Sequence, residues 1–303
     1  MKKFNIIHFG IGHVGSEVVA QIAKQKNQIK KSLGVDLVYQ AKIDAKTSDA
    51  EINTMIKTIS EPFLVIDTTA SEKTLFSLKE VLRKGGFVVL ANKKPISGEQ
   101  KDFDLLHTLG GKKFLYECTV GAGLPVIQTI KSLQETGDEV LEMQGCLSGT
   151  LGFIFSQLDN GVAFSQAVLD AKAKGFTEPD PRDDLSGIDV ARKALILARI
   201  CGRKFAFEDI KLEGLYPVKM AKLSLEDFLK DLPVLDSVYK EKMEKAKKKK
   251  QVLRFVAKIT EKEVLVGLQA VDKTSDIGSL RGPDNLVVIK SKRYFDNPLV
   301  IKG

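Results

Sequence analysis

The sequence predicts an α/β domain with a doubly wound parallel sheet, followed by an α+β domain. Three observations predict it. Strand and helix patterns alternate with short breaks over the first 118 residues. A glycine-broken turn joins the first strand to the first helix. Three extended runs lie close together near the C-terminal end, with turn residues between them. Alternation at this spacing implies parallel strands with helices on both faces, whereas strands that follow one another closely imply antiparallel pairing.

Taken in order, FNIIHF predicts the first strand and is followed by a helix from about Val14. VDLVYQAKI is a second strand, with a helix running through Met55. FLVID, a helix over 72–84, FVVLA, a helix near 99–109 and KFLYEC complete the first domain. From about residue 125 the rhythm changes. A helix in PVIQTIKSLQET precedes extended EVLEMQGCLSG, three helical patterns up to Gly202, and a basic helix over 236–250. VLRFVAKI, VLVGLQAV and LVVIKS then predict the antiparallel sheet. The expected division is 1–130 for a nucleotide domain, 131–296 for a second domain of catalysis and dimerisation, and 297–303 as the start of a return to the first.

At 303 residues the chain is long enough for two ordinary domains, each with its own core. The net charge of +8 raises the question of nucleic acid, but residues 240–250 hold seven lysines against two glutamates and supply +5 of it. One exposed helix face, without interleaved aromatics, explains the imbalance, so neither a nucleic-acid nor a membrane partner is expected. The N-terminal apolar run is cut at Gly10, and no apolar stretch of about twenty residues follows, so a cytoplasmic, soluble protein is expected. Cys118, Cys146 and Cys201 are widely separated and predict neither a disulfide framework nor a zinc site.

Gly10, Gly12 and Gly15 form GxGxxG between the first strand and the first helix. In that context the glycines serve a tight turn, backbone approach to a pyrophosphate, and packing of helix on strand. This is the fingerprint of a Rossmann-type dinucleotide site, with the phosphates at the helix N-terminus. A related sheet that binds S-adenosylmethionine fits the same glycines. Asp44 ends the second strand, where an acid holds a ribose 2'-hydroxyl and favours NAD, while Lys46 suits a 2'-phosphate and NADP.

Residues 178–193, EPDPRDDLSGIDVARK, place five acids and three bases directly before the apolar ALILA. On a helix over 187–201, Asp189 and Lys193 are i and i+4 on one face, acid before base. Arg192 and Arg199 are expected to mark the exposed edge, so the pair faces something enclosed. A lysine held by an aspartate can give a proton to a carbonyl oxygen as hydride reduces the carbon. Glu178, Asp180, Asp183 and Asp184 offer carboxylates to an ammonium group, with Asp180 and Asp183 the candidates for mere capping or solvation. Lys93 and Lys94 follow the fourth strand at the edge where such sheets bind ligands. YECTVGAGLP combines Glu117 with glycines, and suits a hinge, a nicotinamide contact or a hard-cation site.

Together these residues resemble the homoserine dehydrogenase family. The resemblance is carried by GIGHVG (10–15), DTTA (67–70), ANKKP (91–95), YECTVGAGLPV (116–126), GCLSGTLGFI (145–154) and GFTEPDPRDDLSGIDVARK (175–193). It implies NAD(P)-dependent interconversion of L-aspartate 4-semialdehyde and L-homoserine, in the route to threonine, methionine and isoleucine. It implies cofactor contacts at Gly10, Gly12, His13, Val14, Gly15, Asp44, Thr68, Thr69, Ala91, Asn92 and Lys93. Lys193 would be the proton donor and acceptor, oriented by Asp189 and assisted by Lys93. Glu178 and Asp184 would bind the substrate's amino end, with Gly149 and Thr150 contributing. A monovalent cation, Na+ or K+, would sit on the Glu117 side chain and the carbonyls of Val120, Ala122 and Leu124, and a homodimer would form through the second domain's sheet.

Two departures from the family pattern stand out. Phe176 replaces a tyrosine and removes a hydroxyl that would reach substrate. The pattern also continues past PLVIKG into a glycine-rich turn and a last helix, and nucleotide affinity and domain closure would depend on them; neither a regulatory domain nor a fused kinase is expected. Two other readings stay open. A semialdehyde dehydrogenase needs a cysteine nucleophile, but no histidine follows Cys118 to activate it. A non-catalytic nucleotide sensor would bind dinucleotide without turnover, leaving Asp189 and Lys193 unexplained.

Overall fold

The structure, a computed structural model, describes residues 2–303, and these divide into two compact units, one ending at Ala122 and the other running from Gly123 to Gly303. The division falls at Ala122/Gly123, eight residues before the expected boundary, because the helix over 126–135 packs within the second unit.

The first unit alternates strand and helix: β1 (Lys2–Phe9), α1 (His13–Leu33), β2 (Val35–Ile43), α2 (Asp49–Thr58), β3 (Phe63–Asp67), α3 (Thr74–Arg83), β4 (Phe87–Leu90), α4 (Lys94–Ser97), α5 (Gln100–Gly110) and β5 (Phe114–Leu115). The five strands are parallel in the order β2-β1-β3-β4-β5. Residues 5–9 of β1 are all buried, which requires cover on both faces of the sheet. β1 leads to β2 on one side and the chain then crosses to β3 on the other. The sheet's switch point, and its ligand crevice, therefore lies beyond the carboxyl ends of β1 and β3. KFLYEC forms a strand only at Phe114–Leu115 before turning into a 3-10 turn over Glu117–Thr119.

The second unit contains α6 (Val126–Glu135), β6 (Val140–Cys146), α7 (Gly149–Asp159), α8 (Phe164–Ala173), α9 (Pro181–Leu185), α10 (Ile188–Ile200), β7 (Lys211–Leu212), α11 (Leu225–Asp231), α12 (Asp236–Lys248), β8 (Gln251–Ile259), β9 (Val264–Asp272), α13 (Asp276–Ser279), β10 (Leu286–Ser291) and β11 (Leu299–Lys302). Its six strands run in the order β11-β10-β6-β8-β9-β7, antiparallel except for β7 beside β9. Residues 297–303 were expected to start a return to the first domain. Instead β11 pairs with β10 and extends this second sheet.

α10 packs on β8, β9 and α6, and its Ala194–Ala198 turn is fully buried. Arg199 does not mark an exposed edge: it is buried, and its guanidinium donates to the carbonyl of Phe205, where the chain turns back. A second buried arginine, Arg254 of β8, pairs with Asp159 at 2.8 Å and donates to the carbonyls of Gly278 and Leu280. The lysine-rich helix α12 buries Tyr239, Met243 and Ala246 and leaves Lys240, Lys245, Lys247 and Lys248 exposed. Among the described residues no helix is long and apolar enough to cross a membrane.

Candidate active site

In the first unit, Gly10–Gly15 leads from β1 into α1. α1 is 21 residues long and begins at His13 with no side-chain cap and no acid in its first turn. Its first N–H groups are therefore available to an anion, which the helix dipole favours. The turn fits a dinucleotide. A Cβ at Gly15 would lie 2.1 Å from the Gly10 carbonyl oxygen, whereas one at Gly12 would meet nothing within 4 Å. Helix and strand touch at Gly15, and open space remains at Gly12 for a pyrophosphate. His13 and Val14 are exposed beside it.

The floor of this turn is a polar network. Thr68 Oγ1 donates to the Gly10 carbonyl at 2.5 Å and lies 3.0 Å from His8 Nε2. A hydroxyl carries one proton, so Nε2–H donates to Thr68 and Nδ1 accepts from the Tyr39 hydroxyl at 3.3 Å. His8 is fully buried. Burial, with the Lys42 charge, lowers its pKa from 6.5 to about 4, so the ring is neutral.

Asp44 and Gly10 line a cavity of about 340 Å³ with Phe9, Ile43, Thr47 and Thr69. The Asp44 carboxylate accepts from Lys46 N at 2.8 Å and from the Thr47 hydroxyl, and these bonds hold its pKa below the usual carboxylate range. Asn92 faces inward: it is buried, and its amide donates to the Ser71 carbonyl at 2.6 Å and to Asp67 at 3.1 Å. Thr69 likewise donates to Asp67. These bonds join the turns after β3 and β4, so Asn92, Thr68 and Thr69 shape the site through their side chains rather than presenting them. Ala91 and Lys93 flank Asn92, with Lys93 just before α4. Glu117, Val120 and Ala122 belong to the first unit's last turn, where Gly121 and Ala122 both have positive φ, and Leu124 belongs to the second unit.

In the second unit, the lysine that ends the charged stretch is held at two points. Lys193 Nζ lies 2.8 Å from Asp189 Oδ2, one turn earlier on α10, and 2.7 Å from the Leu147 carbonyl oxygen at the end of β6. The Lys193 side chain is 16% exposed and that of Asp189 47%. An ammonium group has three N–H bonds, so two acceptors fix its direction and leave one for a third oxygen. α10 can start where it does because Gly187 has φ +74° and a Cβ there would lie 2.6 Å from the Phe255 ring.

The carboxylates are sorted by their partners. Asp180 caps α9 by accepting from Arg182 N at 3.0 Å, and Asp183 is exposed, as expected of capping and solvated residues. Asp184 turns inward, accepting from Thr150 Oγ1 at 3.0 Å and from Glu178 N at 2.8 Å. Burial raises its pKa above the usual carboxylate range, and the charges of Glu178 and Asp189 push the same way against those two hydrogen bonds. Thr150 Oγ1 also lies 2.5 Å from the Phe176 carbonyl oxygen, so its single proton is shared between that carbonyl and Asp184. Gly149 opens α7 beside it, and the Phe176 ring packs on Phe153. Glu178, Asp184, Thr150, Asp189 and Lys193 thus form one neighbourhood in which a cation would relieve the crowding of acids.

Comparison with known proteins agrees with both units. The family model for homoserine dehydrogenase matches residues 125–303, and that for the homoserine dehydrogenase NAD binding domain matches 10–116. The chain belongs to the homoserine dehydrogenase family. A homoserine dehydrogenase of Emericella nidulans is 40% identical over 336 residues, covering 97% of this chain and 91% of that protein. A chloroplastic bifunctional aspartokinase/homoserine dehydrogenase of Zea mays is 35% identical, covering 94% of this chain, and the chain spans about a third (32%) of that relative's length. Among solved structures, a Candida auris protein described as of unknown function superposes with a TM-score of 0.88 at 29% identity, covering 100% of this chain and 93% of that one. A putative homoserine dehydrogenase of Archaeoglobus fulgidus has the same fold, with a TM-score of 0.76 at 21% identity, covering 100% and 93%.

Three features of this candidate site are not marked in the sequence read above. His8 and Tyr39 lie beneath the glycine turn, the Leu147 carbonyl fixes Lys193, and Arg182 binds Asp180 rather than solvent. Only the last had a local signal, since Asp180 and Arg182 are two residues apart.

Proposed function

We propose that this chain catalyses the reversible NAD(P)-dependent reduction of L-aspartate 4-semialdehyde to L-homoserine, a step towards threonine, methionine and isoleucine. The observation that carries it is Lys193, held by Asp189 and the Leu147 carbonyl with one N–H left for a substrate oxygen. When bound, the nicotinamide cofactor supplies or takes the hydride. In the reducing direction Lys193 gives a proton to the carbonyl oxygen as it becomes a hydroxyl, and in the oxidising direction it takes that proton back. Asp189 orients the lysine. Glu178 and Asp184 hold the substrate's ammonium group, and Thr150, opening α7 with Gly149, holds Asp184. Lys93 is proposed as a second cation for the same oxygen.

The first unit would hold the dinucleotide by its pyrophosphate at Gly12–Gly15 and by its adenosine ribose at Asp44. A carboxylate fixed by Lys46 N accepts from a 2'-hydroxyl and repels a 2'-phosphate, which favours NAD. Glu117 and the carbonyls of Val120, Ala122 and Leu124 are all oxygen donors, a set suited to Na+ or K+. A cytoplasmic homodimer completes the reading; the three free cysteines fit a reducing compartment.

The test is absorbance of the reduced nicotinamide band with L-homoserine and either NAD or NADP at alkaline pH. Lys193→Ala should lower turnover by about 10²–10⁴-fold, the range for loss of a general acid–base. Dinucleotide affinity should stay within about twofold, since the interaction lost acts in the chemical step. Wild-type turnover in that variant would refute the assignment. Dinucleotide binding without turnover in the wild-type protein would favour the sensor reading.

A further inference from the structure

The segment that carries Glu178 and Asp184 is short, and its two ends are held differently. At the C-terminal end of α9, Leu215 N donates to the Leu185 carbonyl at 2.9 Å and Ser186 N to the Arg182 carbonyl at 2.8 Å. Those bonds are backbone only. At the N-terminal end the ties beyond the segment are mainly side chains: Lys172 Nζ donates to the Pro179 carbonyl at 2.5 Å, Thr150 Oγ1 reaches the Phe176 carbonyl and Asp184, and Arg182 reaches the Leu223 carbonyl.

Arg182 is engaged on every side. Its Nε lies 2.9 Å and 3.0 Å from the two Asp180 oxygens, and Nη2 lies 2.5 Å from Asp180 Oδ2. Nη1 donates to the Leu223 carbonyl at 2.7 Å and reaches the Ala221 carbonyl at 3.4 Å, in the segment before α11. The guanidinium also lies 5.5 Å from the centre of the Phe228 ring on α11. Four of its five donors are taken, and among the described residues its partners are Asp180, Ala221 and Leu223 rather than Glu178 or Asp184. A planar fork that grips a carboxylate and a carbonyl at once ties two segments 41 residues apart.

We propose that Arg182, with Asp180, is a positioning residue for substrate binding: the pair clamps the start of α9 to the 221–228 segment and so sets Glu178 and Asp184 for the substrate's amino end. This rests on the proposed role of those two acids. Arg182 itself acts only through the backbone. Without the clamp, the start of α9 keeps the Lys172 bond to Pro179, while Glu178 is tied through its N–H to Asp184, which Thr150 holds. The substrate must then order the segment on binding, which weakens binding more than it slows the chemical step at Lys193.

The test is steady-state kinetics with L-homoserine and saturating dinucleotide, with dinucleotide Kd measured separately. Arg182→Ala should raise KM by roughly tenfold or more, the range for losing hydrogen bonds to a charged group, while kcat falls by less than about threefold and Kd is unchanged. Arg182→Lys, which reaches one partner but not both, should recover part of the KM. Asp180→Asn keeps a good helix cap but removes the ion pair, so it should raise KM in the same direction even if Arg182→Ala does not fold. An unchanged KM in these variants overturns the clamp while wild-type turnover leaves the reaction standing. A parallel fall in kcat, dinucleotide affinity and Tm, with no recovery in Arg182→Lys, makes the residue merely structural and overturns it too. Absence of homoserine turnover in wild type overturns the reaction and, with it, the clamp.

Discussion

Mild acidification should destabilise the nucleotide unit through His8. His8 is enclosed in β1, donates through Nε2 to Thr68 and accepts through Nδ1 from Tyr39, so its hydrogen bonds require the neutral ring. Its pKa is lowered from 6.5 to about 4 by burial and by Lys42. A lowered histidine binds its proton more readily in the unfolded chain. Its contribution is therefore complete above pH 6.5 and is lost as pH falls towards 4. With these two values, the loss between pH 8 and pH 5 comes to about 2 kcal/mol. Carboxylates with lowered values, such as Asp44 and Glu51, lose their contribution only below about pH 4.5 and add little in this window. The assay is urea unfolding of wild type and His8→Gln at pH 8, 7, 6 and 5. Gln keeps a donor for Thr68 but does not titrate. Wild type should lose about 2 kcal/mol more than the variant on going to pH 5. Parallel curves, or an imidazole that titrates by NMR near 6.5, would refute the argument.

Arg254→Met should destabilise the second unit by about 3–5 kcal/mol in denaturant unfolding, because it leaves Asp159 with a buried, uncompensated charge; adding Asp159→Leu should recover most of it. Gly15→Ala should abolish dinucleotide binding measured by nicotinamide fluorescence, since its Cβ would lie 2.1 Å from the Gly10 carbonyl oxygen and must push α1 off the turn.

What could be read from the sequence was what repeats locally. The β1 strand, the GxGxxG turn and α1 are each specified within a few residues, and the Asp189–Lys193 pair by one helical turn. All of these occur where they were expected. Arg199 shows where local reading fails. Its place on α10 marked an exposed edge, yet the chain turns back after Gly202 and brings the Phe205 carbonyl over it. Arg254 is a stronger case: a charge amid VLRFVAKI becomes legible only once Asp159, 95 residues away, is beside it. KFLYEC reads as a strand by composition, but pairing to β4 is available only at Phe114 and Leu115, and the backbone then turns.

The charged stretch 178–193 explains why so much charge abuts a core. Its acids and bases are not one feature but several, separated by partners outside the stretch. Asp180 and Arg182 neutralise each other and Arg182 donates to the Leu223 carbonyl, while Arg192 lies over the Phe207 ring. Asp183 is left to solvent. What remains is Glu178, Asp184, Asp189 and Lys193, three acids against one base, and the base is the member held by the Leu147 carbonyl. The burial of Asp184, with the charges of Glu178 and Asp189 near it, makes this imbalance unfavourable and raises the Asp184 carboxyl. A site with this surplus of negative charge gains most from a ligand that brings a cation, and the fixed lysine gains most from one that also brings an oxygen. An amino acid with a carbonyl or hydroxyl on its side chain supplies both. The charge left over once structural pairs are removed therefore fits the proposed substrate class better than the sequence count of charges does.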